Sequence, residues 1–372
     1  MRKPSARAAF DLVLSSFLVL FLELACIRWF ASTVVFLTFF TNIVLLAAFV
    51  GMAVGCLAAS RPSNFIGTTI PMLLVAVALA SAVLFVYTRF GGVMIDVGGQ
   101  GSPQQIYFGT EYRARDVSRF VVPIEVVAGA FFVLIAVLFV GPGQVMGRTF
   151  NQLHNRLAAY TLNVGGSLAG VAAAATLSYL RTPPQLWFAI ALGLCMFFVR
   201  RRMAMQVAAA LATLVLIAAP SRFAPQSLMW SPYYKIEYVR ETGAISTNNI
   251  GHQTMLDVGR AGAGYALPHL LNRDAGGPPF DDVLVIGAGS GNDVSAALRY
   301  GAKRVDAVEI DPAILDLGRA NHPNHPYQDS RVVARVDDGR SFVRQTERRY
   351  DLIVYALVDS LVLHSGYSSV RL

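Results

Sequence analysis

Residues 283–293 read Val-Leu-Val-Ile-Gly-Ala-Gly-Ser-Gly-Asn-Asp, and the fold of the C-terminal part of the chain follows from them. A short apolar run followed by Gly287, Gly289 and Gly291 predicts a buried strand that ends in a tight glycine turn. The pattern over 292–300 then predicts a helix, whose first N–H groups face the turn. Because backbone of this kind can approach a nucleotide closely, the stretch favours an α/β nucleotide-binding domain. A glycine turn that serves only packing is the alternative.

The type of nucleotide follows from the spacing around this turn. Glu309 ends the next predicted strand, 22 residues after Gly287, where a carboxylate can accept hydrogen bonds from both ribose hydroxyls. The dinucleotide fingerprint GxGxxG requires glycine or alanine at the position of Asn292. The spacing GxGxG instead suits ligands of the S-adenosylmethionine type, which have no pyrophosphate. We therefore favour an adenosylmethionine-type ligand over a dinucleotide.

Strands and helices alternate from position 281 to position 355, which predicts a parallel sheet. Asp338 and Gly339 follow the third strand, where the Asp338 carboxylate could reach an adenine amino group, cap the helix predicted over 339–345, or do both. Asp359 lies just past the fourth strand, at the edge where such sheets bind ligands. It is a candidate base for an amine nucleophile, and a turn-forming aspartate is the alternative.

The first 220 residues predict a bundle of about seven membrane spans, since a crossing needs about 20 mostly apolar residues. The apolar windows are 10–30, 34–59, 70–87, 121–140, 158–180, 185–199 and 203–219. GxxxG spacing at Gly51 and Gly55, and again at Gly166 and Gly170, predicts close packing of helices.

Charge and cysteine usage narrow the class of protein. The net charge is +8, but residues 1–220 hold 15 Lys and Arg against 6 Asp and Glu, whereas residues 221–372 hold 16 against 17. The basic excess therefore indicates membrane orientation rather than nucleic-acid binding. The three cysteines lie in apolar stretches with no CxxC pair, which argues against a disulfide framework or a zinc site. Within the first span, Glu23 is expected to pair with Arg28, and a transport role is the alternative.

Several segments resemble the spermidine synthase family, and most closely its multi-pass membrane branch. They are Trp230-Ser-Pro-Tyr-Tyr-Lys-Ile-Glu237, Asn248-Asn-Ile-Gly-His-Gln253, the stretch 285–293, Val308-Glu-Ile-Asp311 and Asp338-Gly-Arg340. The resemblance implies a small β-domain before a methyltransferase-like Rossmann domain, and aminopropyl transfer from decarboxylated S-adenosylmethionine to a polyamine. It also implies that Glu309 holds the ribose, Asp338 the adenine and Gln253 the nucleoside side, with Tyr234 beside the polyamine groove.

Three features depart from the pattern of the family. Its soluble members carry an aspartate within the glycine turn, where this chain has Ser290, and their catalytic base falls at Ala356. Asp359 is then the remaining aspartate after the fourth strand. A domain of this type has seven strands, whereas four are predicted before the sequence ends, so we expect an incomplete Rossmann domain.

The sequence thus predicts a membrane-bound, spermidine synthase-like transferase with a helix bundle over 1–220, a small β-rich substrate or linker region over 221–280 and a Rossmann-like domain over 281–372. The predicted cofactor-binding residues are Gly287, Gly289, Gly291, Glu309, Asp338, Gly339 and Gln253, the predicted substrate-binding residue is Tyr234, and the predicted catalytic residue is Asp359. The expected co-substrate is S-adenosylmethionine or its decarboxylated form, and no metal is expected.

The expected partners are an amine or polyamine acceptor and the lipid bilayer, without nucleic acid and with a homodimer left open. We expect a multi-pass protein of the cell (inner) membrane whose transferase domain is cytoplasmic. Seven crossings from a cytoplasmic N-terminus would instead place that domain outside. The alternative functions are a methyltransferase acting on a membrane-associated acceptor, and a non-catalytic transporter or sensor with a nucleotide-binding domain.

Overall fold

A computed structural model describes residues 6–34, 37, 41–89, 93–96, 120–199, 202–223, 227–261 and 263–356 of the chain. The chain divides into two compact units, the first formed mainly by the described residues up to 223 and the second mainly by those from 227 onward. The first unit is largely helical, and the second contains two four-stranded sheets.

The helices of the first unit follow the apolar windows of the sequence. They are α1 (Ala6–Thr33), α2 (Thr41–Leu57), α3 (Ile66–Arg89), α4 (Ile124–Gln152), α5 (Arg156–Tyr179), α6 (Pro184–Phe198) and α7 (Met203–Phe223). Five segments are long and apolar enough to cross a membrane, namely Ala6–Thr33, Asn42–Ser60, Ile66–Val86, Ile124–Gln152 and Arg156–Tyr179. The other two are the shorter apolar helices Pro184–Phe198 and Met203–Ala219. The unit therefore contains five helices that fit a membrane bundle by length and composition, and the prediction of seven crossings depends on the two shorter helices.

Two glycines bring α2 into backbone contact with α4. A Cβ atom at Gly51 would collide with the backbone of Ala136, and one at Gly55 would collide with the backbone of Val140. Without a hydrophobic force between helices in lipid, such close approach is a main source of helix association. The first GxxxG pair therefore packs as predicted.

The second GxxxG pair joins α5 to α1. A Cβ atom at Gly166 would lie 2.5 Å from the carbonyl oxygen of Val13, and one at Gly170 would lie 2.6 Å from that of Phe17. Positions along both helices increase together, so α1 and α5 run in the same direction where they touch. The prediction of close packing is confirmed here as well.

Glu23 and Arg28 do not form the local pair that the sequence predicted. Five residues along a helix rotate a side chain by roughly 140°, so the two side chains leave α1 on different faces. Arg28 donates to the hydroxyl of Ser178, and its guanidinium carbon lies 4.6 Å from the ring centroid of Trp187. The Glu23 side chain is buried, and neither carboxylate oxygen has a hydrogen-bond partner among the described residues.

Two short strands lie between α3 and α4, and the second of them takes up the first residues of the apolar window predicted over 121–140. They are β1 (Val93–Asp96) and β2 (Phe120–Pro123), and they pair in parallel. The second of them leads directly into α4, since Ile124 follows Pro123 without a break.

The second unit begins with a small sheet in the order β3–β4–β5–β6. Its strands are β3 (Ser227–Trp230), β4 (Lys235–Val239), β5 (Ala244–Thr247) and β6 (Ile250–Thr254), and β4 is antiparallel to both β3 and β5. The last of these strands, β6, ends at Thr254. The N–H of Leu256 donates to the side chain of Asn292 at 3.0 Å, so the chain leaves the sheet at this point. Helices α8 (Val258–Ala261) and α9 (Ala263–Asp274) follow.

A parallel sheet forms the centre of the second unit and confirms the predicted α/β class. Its strands are β7 (Asp282–Ile286), β8 (Arg304–Glu309), β9 (Val332–Val336) and β10 (Leu352–Tyr355), and its helices are α10 (Asn292–Arg299), α11 (Pro312–Asn321) and α12 (Gly339–Gln345). The spatial order is β10–β7–β8–β9. Because the chain proceeds to one side from β7 and then returns to its other side, a switch point lies between β7 and β10. Crevices that bind ligands open at such points, outside the carboxyl ends of the strands.

The parallel sheet is covered on both faces, which explains its continuous apolar strands. Val283 and Val285 pack into one cluster with residues of α10, while Leu284 and Ile286 pack into another with Phe342 of α12. The glycine turn at the end of β7 is thereby mounted on a rigid strand.

Candidate functional site

All three glycines of the turn between β7 and α10 have a positive φ, and at two of them a Cβ atom would also come too close to a neighbour. Gly289 has a φ of 55°, and a Cβ atom there would lie 2.7 Å from Oε1 of Gln253. Gly291 has a φ of 114°, and a Cβ atom there would lie 2.6 Å from Cγ of Pro326. Both positions therefore need glycine for conformation and for space. The last glycine of the motif thus serves close packing against the loop that carries Pro326.

Glu309 holds this turn from the end of β8. Its Oε2 accepts the N–H of Gly289 at 2.8 Å, and its Oε1 accepts the N–H of Asp311 at 2.8 Å. The side chain is only 6% exposed, and burial raises the pKa of the carboxyl to about 7, against the lowering effect of the two N–H donors. Each carboxylate oxygen can still accept a second hydrogen bond. Glu309 is therefore placed to bind a pair of hydroxyls without releasing the turn.

Gln253 holds the turn from the other side. Its Oε1 accepts both the N–H of Ser290 at 2.8 Å and the hydroxyl of Ser290 at 2.7 Å. Ser290 is fully buried, so its hydroxyl is committed to Gln253. The described residues provide no acceptor for Nε2 of Gln253, which keeps its donors for a ligand. Gln253, Gly289 and Glu309, which the sequence predicted as cofactor-binding residues, thus meet at one turn.

Tyr327 makes hydrogen bonds to carbonyl oxygens of the turn. Its hydroxyl donates to the carbonyl oxygen of Gly289 at 2.7 Å, with the carbonyl oxygen of Ala288 at 3.2 Å. Burial, and secondarily the nearby charge of Glu309, raise the pKa of this phenol well above its usual range. The phenol therefore remains a hydrogen-bond donor at physiological pH.

Asp338 and Gly339 stand at the same edge of the sheet, after β9. Oδ1 of Asp338 accepts the N–H of Ser341 at 2.8 Å, so the helix cap that the sequence left open is formed. A Cβ atom at Gly339 would collide with the side chain of Ile286 at the end of β7. The contact between Asp338 and an adenine stays a prediction.

The residues after β10 border the switch point. The N–H of Ala356 donates to the carbonyl oxygen of Ile286 at 3.1 Å, which places Ala356 beside Gly287 and the glycine turn. A methyl group therefore occupies the position that the family resemblance assigned to the base. Asp359, the predicted catalytic residue, lies outside the described residues.

Tyr234, the predicted substrate-binding residue, is buried in the small sheet region. Its ring centroid lies 6.1 Å from that of Tyr233 and 6.3 Å from that of His252, and its N–H donates to the hydroxyl of Ser231 at 2.8 Å. Burial lowers the pKa of His252 to about 4, so this imidazole is neutral. Tyr234 thus lies near β6, the strand that carries Gln253, and its contact with a substrate remains a prediction.

Sequence reasoning missed a group of hydrogen bonds, called the polar clip below, that holds the segment after Gln253. They are made by Asn292 and His322. Nδ2 of Asn292 donates to the carbonyl oxygen of Thr254 at 2.8 Å, and Oδ1 accepts the N–H of Leu256 at 3.0 Å. Nε2 of His322 lies 3.0 Å from the same Oδ1, and Nδ1 of His322 accepts the N–H of Asn324. His322 is therefore the neutral Nε2–H tautomer, consistent with burial, which lowers its pKa to about 4. The signal available in the sequence was Asn292 itself, because the dinucleotide fingerprint GxGxxG has glycine or alanine at this position.

Metal ligation has no support within the described ranges of the chain. They contain no group of three or more His, Cys, Asp or Glu side chains that could hold a metal ion. The residues around the glycine turn are instead hydrogen-bonding groups suited to an organic ligand with hydroxyl groups.

Comparison with known proteins assigns a class to this site. Residues 276–369 match the model of the spermine/spermidine synthase domain. The parallel sheet, the glycine turn and Glu309 all lie within the matched region, so this part of the chain is similar to a spermine/spermidine synthase domain. The apolar helices before it fit a membrane branch of that family.

Two curated relatives show the extent of the similarity. The chain is 39% identical over 83 residues to the polyamine aminopropyltransferase of Buchnera aphidicola subsp. Acyrthosiphon pisum (strain Tuc7), which covers 21% of this chain and 29% of the relative. It is 40% identical over 85 residues to the polyamine aminopropyltransferase of Clostridium perfringens (strain SM101 / Type A), which covers 22% of this chain and 30% of the relative. The chain therefore spans less than a third of the length of these relatives.

Proposed function

We propose that this chain is a membrane-bound, spermidine synthase-like transferase that takes S-adenosylmethionine or its decarboxylated form as co-substrate. The observation that carries the proposal is the buried carboxylate of Glu309, which already bonds the N–H of Gly289 and retains acceptor capacity on both oxygens. The matched spermine/spermidine synthase domain and the relatives named as polyamine aminopropyltransferases support it.

The nucleoside end of the donor would lie along the carboxyl edge of β7, β8 and β9. In this arrangement the Glu309 carboxylate accepts both ribose hydroxyls and Asp338 accepts the adenine amino group. The Nε2 group of Gln253 donates to the nucleoside side. The turn can approach the ligand and keep its own shape because it contains Gly287, Gly289 and Gly291. At the next strand end, Gly339 keeps the start of α12 close to β7.

The reaction that we favour is aminopropyl transfer to an amine or polyamine. The acceptor nitrogen attacks the methylene carbon bonded to the sulfonium, a C–N bond forms, and the C–S electron pair passes to sulfur to give methylthioadenosine. The acceptor nitrogen then loses a proton, for which we propose Asp359 as base because Ala356 has no basic group. Since neutral sulfur leaves readily, the protein mainly positions the reactants.

Methyl transfer is the second candidate, and two neutral residues favour it. The hydroxyl of Ser290 is turned toward Gln253, and Ala356 contributes a methyl group, so neither supplies the carboxylates of the aminopropyl-transferring members. An acceptor delivered from the membrane would then attack the methyl carbon, with adenosylhomocysteine as the product.

Product analysis distinguishes these two reactions. The full chain in lipid nanodiscs is incubated with putrescine and either S-adenosylmethionine or its decarboxylated form, with Glu309→Ala as the matched control. Methylthioadenosine that depends on the decarboxylated donor is the expected product, whereas adenosylhomocysteine would establish methyl transfer. If calorimetry detects no binding of either donor or of methylthioadenosine, the proposal is wrong.

Nucleoside binding is expected to weaken as the pH falls through 7. The buried Glu309 carboxyl has its pKa raised from 4.5 to about 7, and a ribose diol needs the ionised acceptor. Methylthioadenosine affinity should therefore rise about tenfold between pH 6 and pH 8. The free energy of unfolding should change in the opposite direction. Glu309 keeps its proton to a higher pH in the native state than in the unfolded chain, so its contribution to stability falls as the pH rises from about 4.5 to about 7. Calorimetry across this range tests the first effect, and a Glu309→Gln variant that keeps the same pH slope would contradict it.

We further propose that the bundle lies in the cell (inner) membrane with the second unit on the cytoplasmic side, where the donor is made. We also propose that the domain boundaries lie at 220 and 280. In addition, we propose a polyamine as the acceptor and a homodimer as the assembly. Protease treatment of sealed vesicles tests the orientation. The second unit should be digested in inverted vesicles, whose cytoplasmic side faces outward, and should be protected in right-side-out vesicles.

A further inference from the structure

The side chain of Asn292 bonds the open edge of β6 in the way that a neighbouring strand would. Strand β6 is the last strand of the small sheet, so one of its edges has no neighbouring strand in the described sheet. The N–H of Met255 donates to the carbonyl oxygen of Gly243, which precedes β5, at 2.9 Å. The carbonyl oxygen of Thr254 and the N–H of Leu256 instead bond the Asn292 amide, at 2.8 Å and 3.0 Å. One amide group thus holds the chain on both sides of Met255.

Every hydrogen-bonding position of this amide is used. Its Nδ2 donates to the carbonyl oxygen of Thr254 and to the hydroxyl of Tyr265 at 3.0 Å. Its Oδ1 accepts from the N–H of Leu256 and from Nε2 of His322 at 3.0 Å. Two donors and two acceptor positions are all that an asparagine side chain offers. Because Asn292 and His322 are both buried, the amide is held in one orientation.

The same turn also holds the side chain of Gln253. Oε1 of Gln253 accepts the N–H and the hydroxyl of Ser290, two residues before Asn292. The turn therefore binds Gln253 at its own amide and, through Asn292, at the backbone that follows it. Held at both points, the amide of Gln253 lies over Gly289, where a Cβ atom would come within 3.0 Å of Nε2. The carboxylate of Glu309 bonds the N–H of the same glycine.

We propose that Asn292 is a positioning residue for the nucleoside, because it fixes the backbone after Gln253 and thereby holds the Nε2 donor of Gln253 toward the ligand. This inference rests on the proposed function, since it assumes that Gln253 donates to an adenosylmethionine-type molecule. The glycine or alanine of the dinucleotide fingerprint could make none of these hydrogen bonds. The polar clip is thus the reason for an asparagine in this glycine turn.

A double-mutant cycle between Asn292 and Gln253 tests the inference. Methylthioadenosine is titrated calorimetrically into the full chain in nanodiscs, as wild type, as Asn292→Ala, as Gln253→Ala and as the double variant. Asn321→Ala is the matched control, since the Asn321 side chain donates to the carbonyl oxygen of Leu317 within its own helix. The control should leave the affinity unchanged.

Gln253→Ala is expected to weaken binding about tenfold, as for the loss of one hydrogen bond. Asn292→Ala should weaken binding about fivefold in the wild-type background and less than about twofold in the Gln253→Ala background, because a positioning residue acts only through the group that it positions. Equal losses in the two backgrounds, or no loss in either, would overturn the inference and leave the proposed function standing. A wild-type chain that does not bind methylthioadenosine overturns both.

His322→Phe provides a second cycle in case Asn292→Ala does not fold. This change keeps a buried planar ring but removes the donor to Oδ1 of Asn292 and the acceptor for the N–H of Asn324. Because the amide of Asn292 remains, the expected loss is smaller, about threefold, and it should again disappear in the Gln253→Ala background. Losses that add in the double variant would contradict the positioning role.

Discussion

Glu309→Ala is expected to weaken methylthioadenosine binding by about a hundredfold or more at pH 8. Two hydrogen bonds from ribose hydroxyls to an ionised carboxylate contribute about 1.5–3 kcal/mol each, and tenfold in affinity corresponds to about 1.4 kcal/mol. The substitution also removes the acceptor for the N–H groups of Gly289 and Asp311, so the turn loses its anchor to β8. Both effects act in the same direction. Isothermal titration of the full chain in nanodiscs measures the loss.

Two further variants separate the ribose contacts from the anchoring of the turn. Glu309→Gln keeps one oxygen acceptor of the same shape and should lose less affinity than Glu309→Ala. Asp316→Ala removes an exposed carboxylate on α11 and should leave binding unchanged. If Glu309→Ala binds methylthioadenosine within about threefold of wild type, the carboxylate does not hold the ribose and the proposed site is wrong.

Gly51→Val is expected to destabilise the membrane bundle by about 3 kcal/mol. A Cβ atom at this position would overlap the backbone of Ala136, and backbone cannot move aside as a flexible side chain can. The α2–α4 contact must therefore open, which forfeits the packing that holds the two helices together in lipid. A fall in the thermal unfolding midpoint of the purified chain in nanodiscs is the measurement.

Gly129→Val is the matched control for this change. Gly129 lies on α4, and a Cβ atom there has no neighbour within 4 Å. The control introduces the same β-branched side chain into a spanning helix without a collision. Equal destabilisation by both substitutions would show that the cost comes from helix propensity or lipid exposure and would contradict the close contact at Gly51.

Local patterns in the sequence were sufficient for the core of the site. The apolar run before Gly287 and the position of Glu309 at the end of the next strand depend on neighbours in the chain, and β7 and β8 form where those patterns place them. The GxxxG pairs in the bundle were equally readable, because close helix approach requires small residues at that spacing. In each case a short stretch contains the whole physical cause.

Features that depend on distant parts of the chain could not be read in this way. The position of β10 beside β7, which creates the switch point at Ala356, follows from how a whole sheet assembles. The clip formed by Asn292 and His322 joins residues 30 positions apart. The expected pairing of Glu23 with Arg28 failed because the two side chains leave α1 on different faces, and the contacts that Arg28 makes instead, with Trp187 and Ser178 on other helices, could not be read from the sequence.

The parallel contact between α1 and α5 can form only after the ribosome has synthesised α5. α5 begins roughly 120 residues after α1 ends, which corresponds to roughly 6–24 s at ~5–20 residues per second. During that interval the α1 surface at Val13 and Phe17 has no Gly166 or Gly170 to cover it. In a membrane, lipid or the insertion apparatus would cover this surface of α1 until α5 has been synthesised.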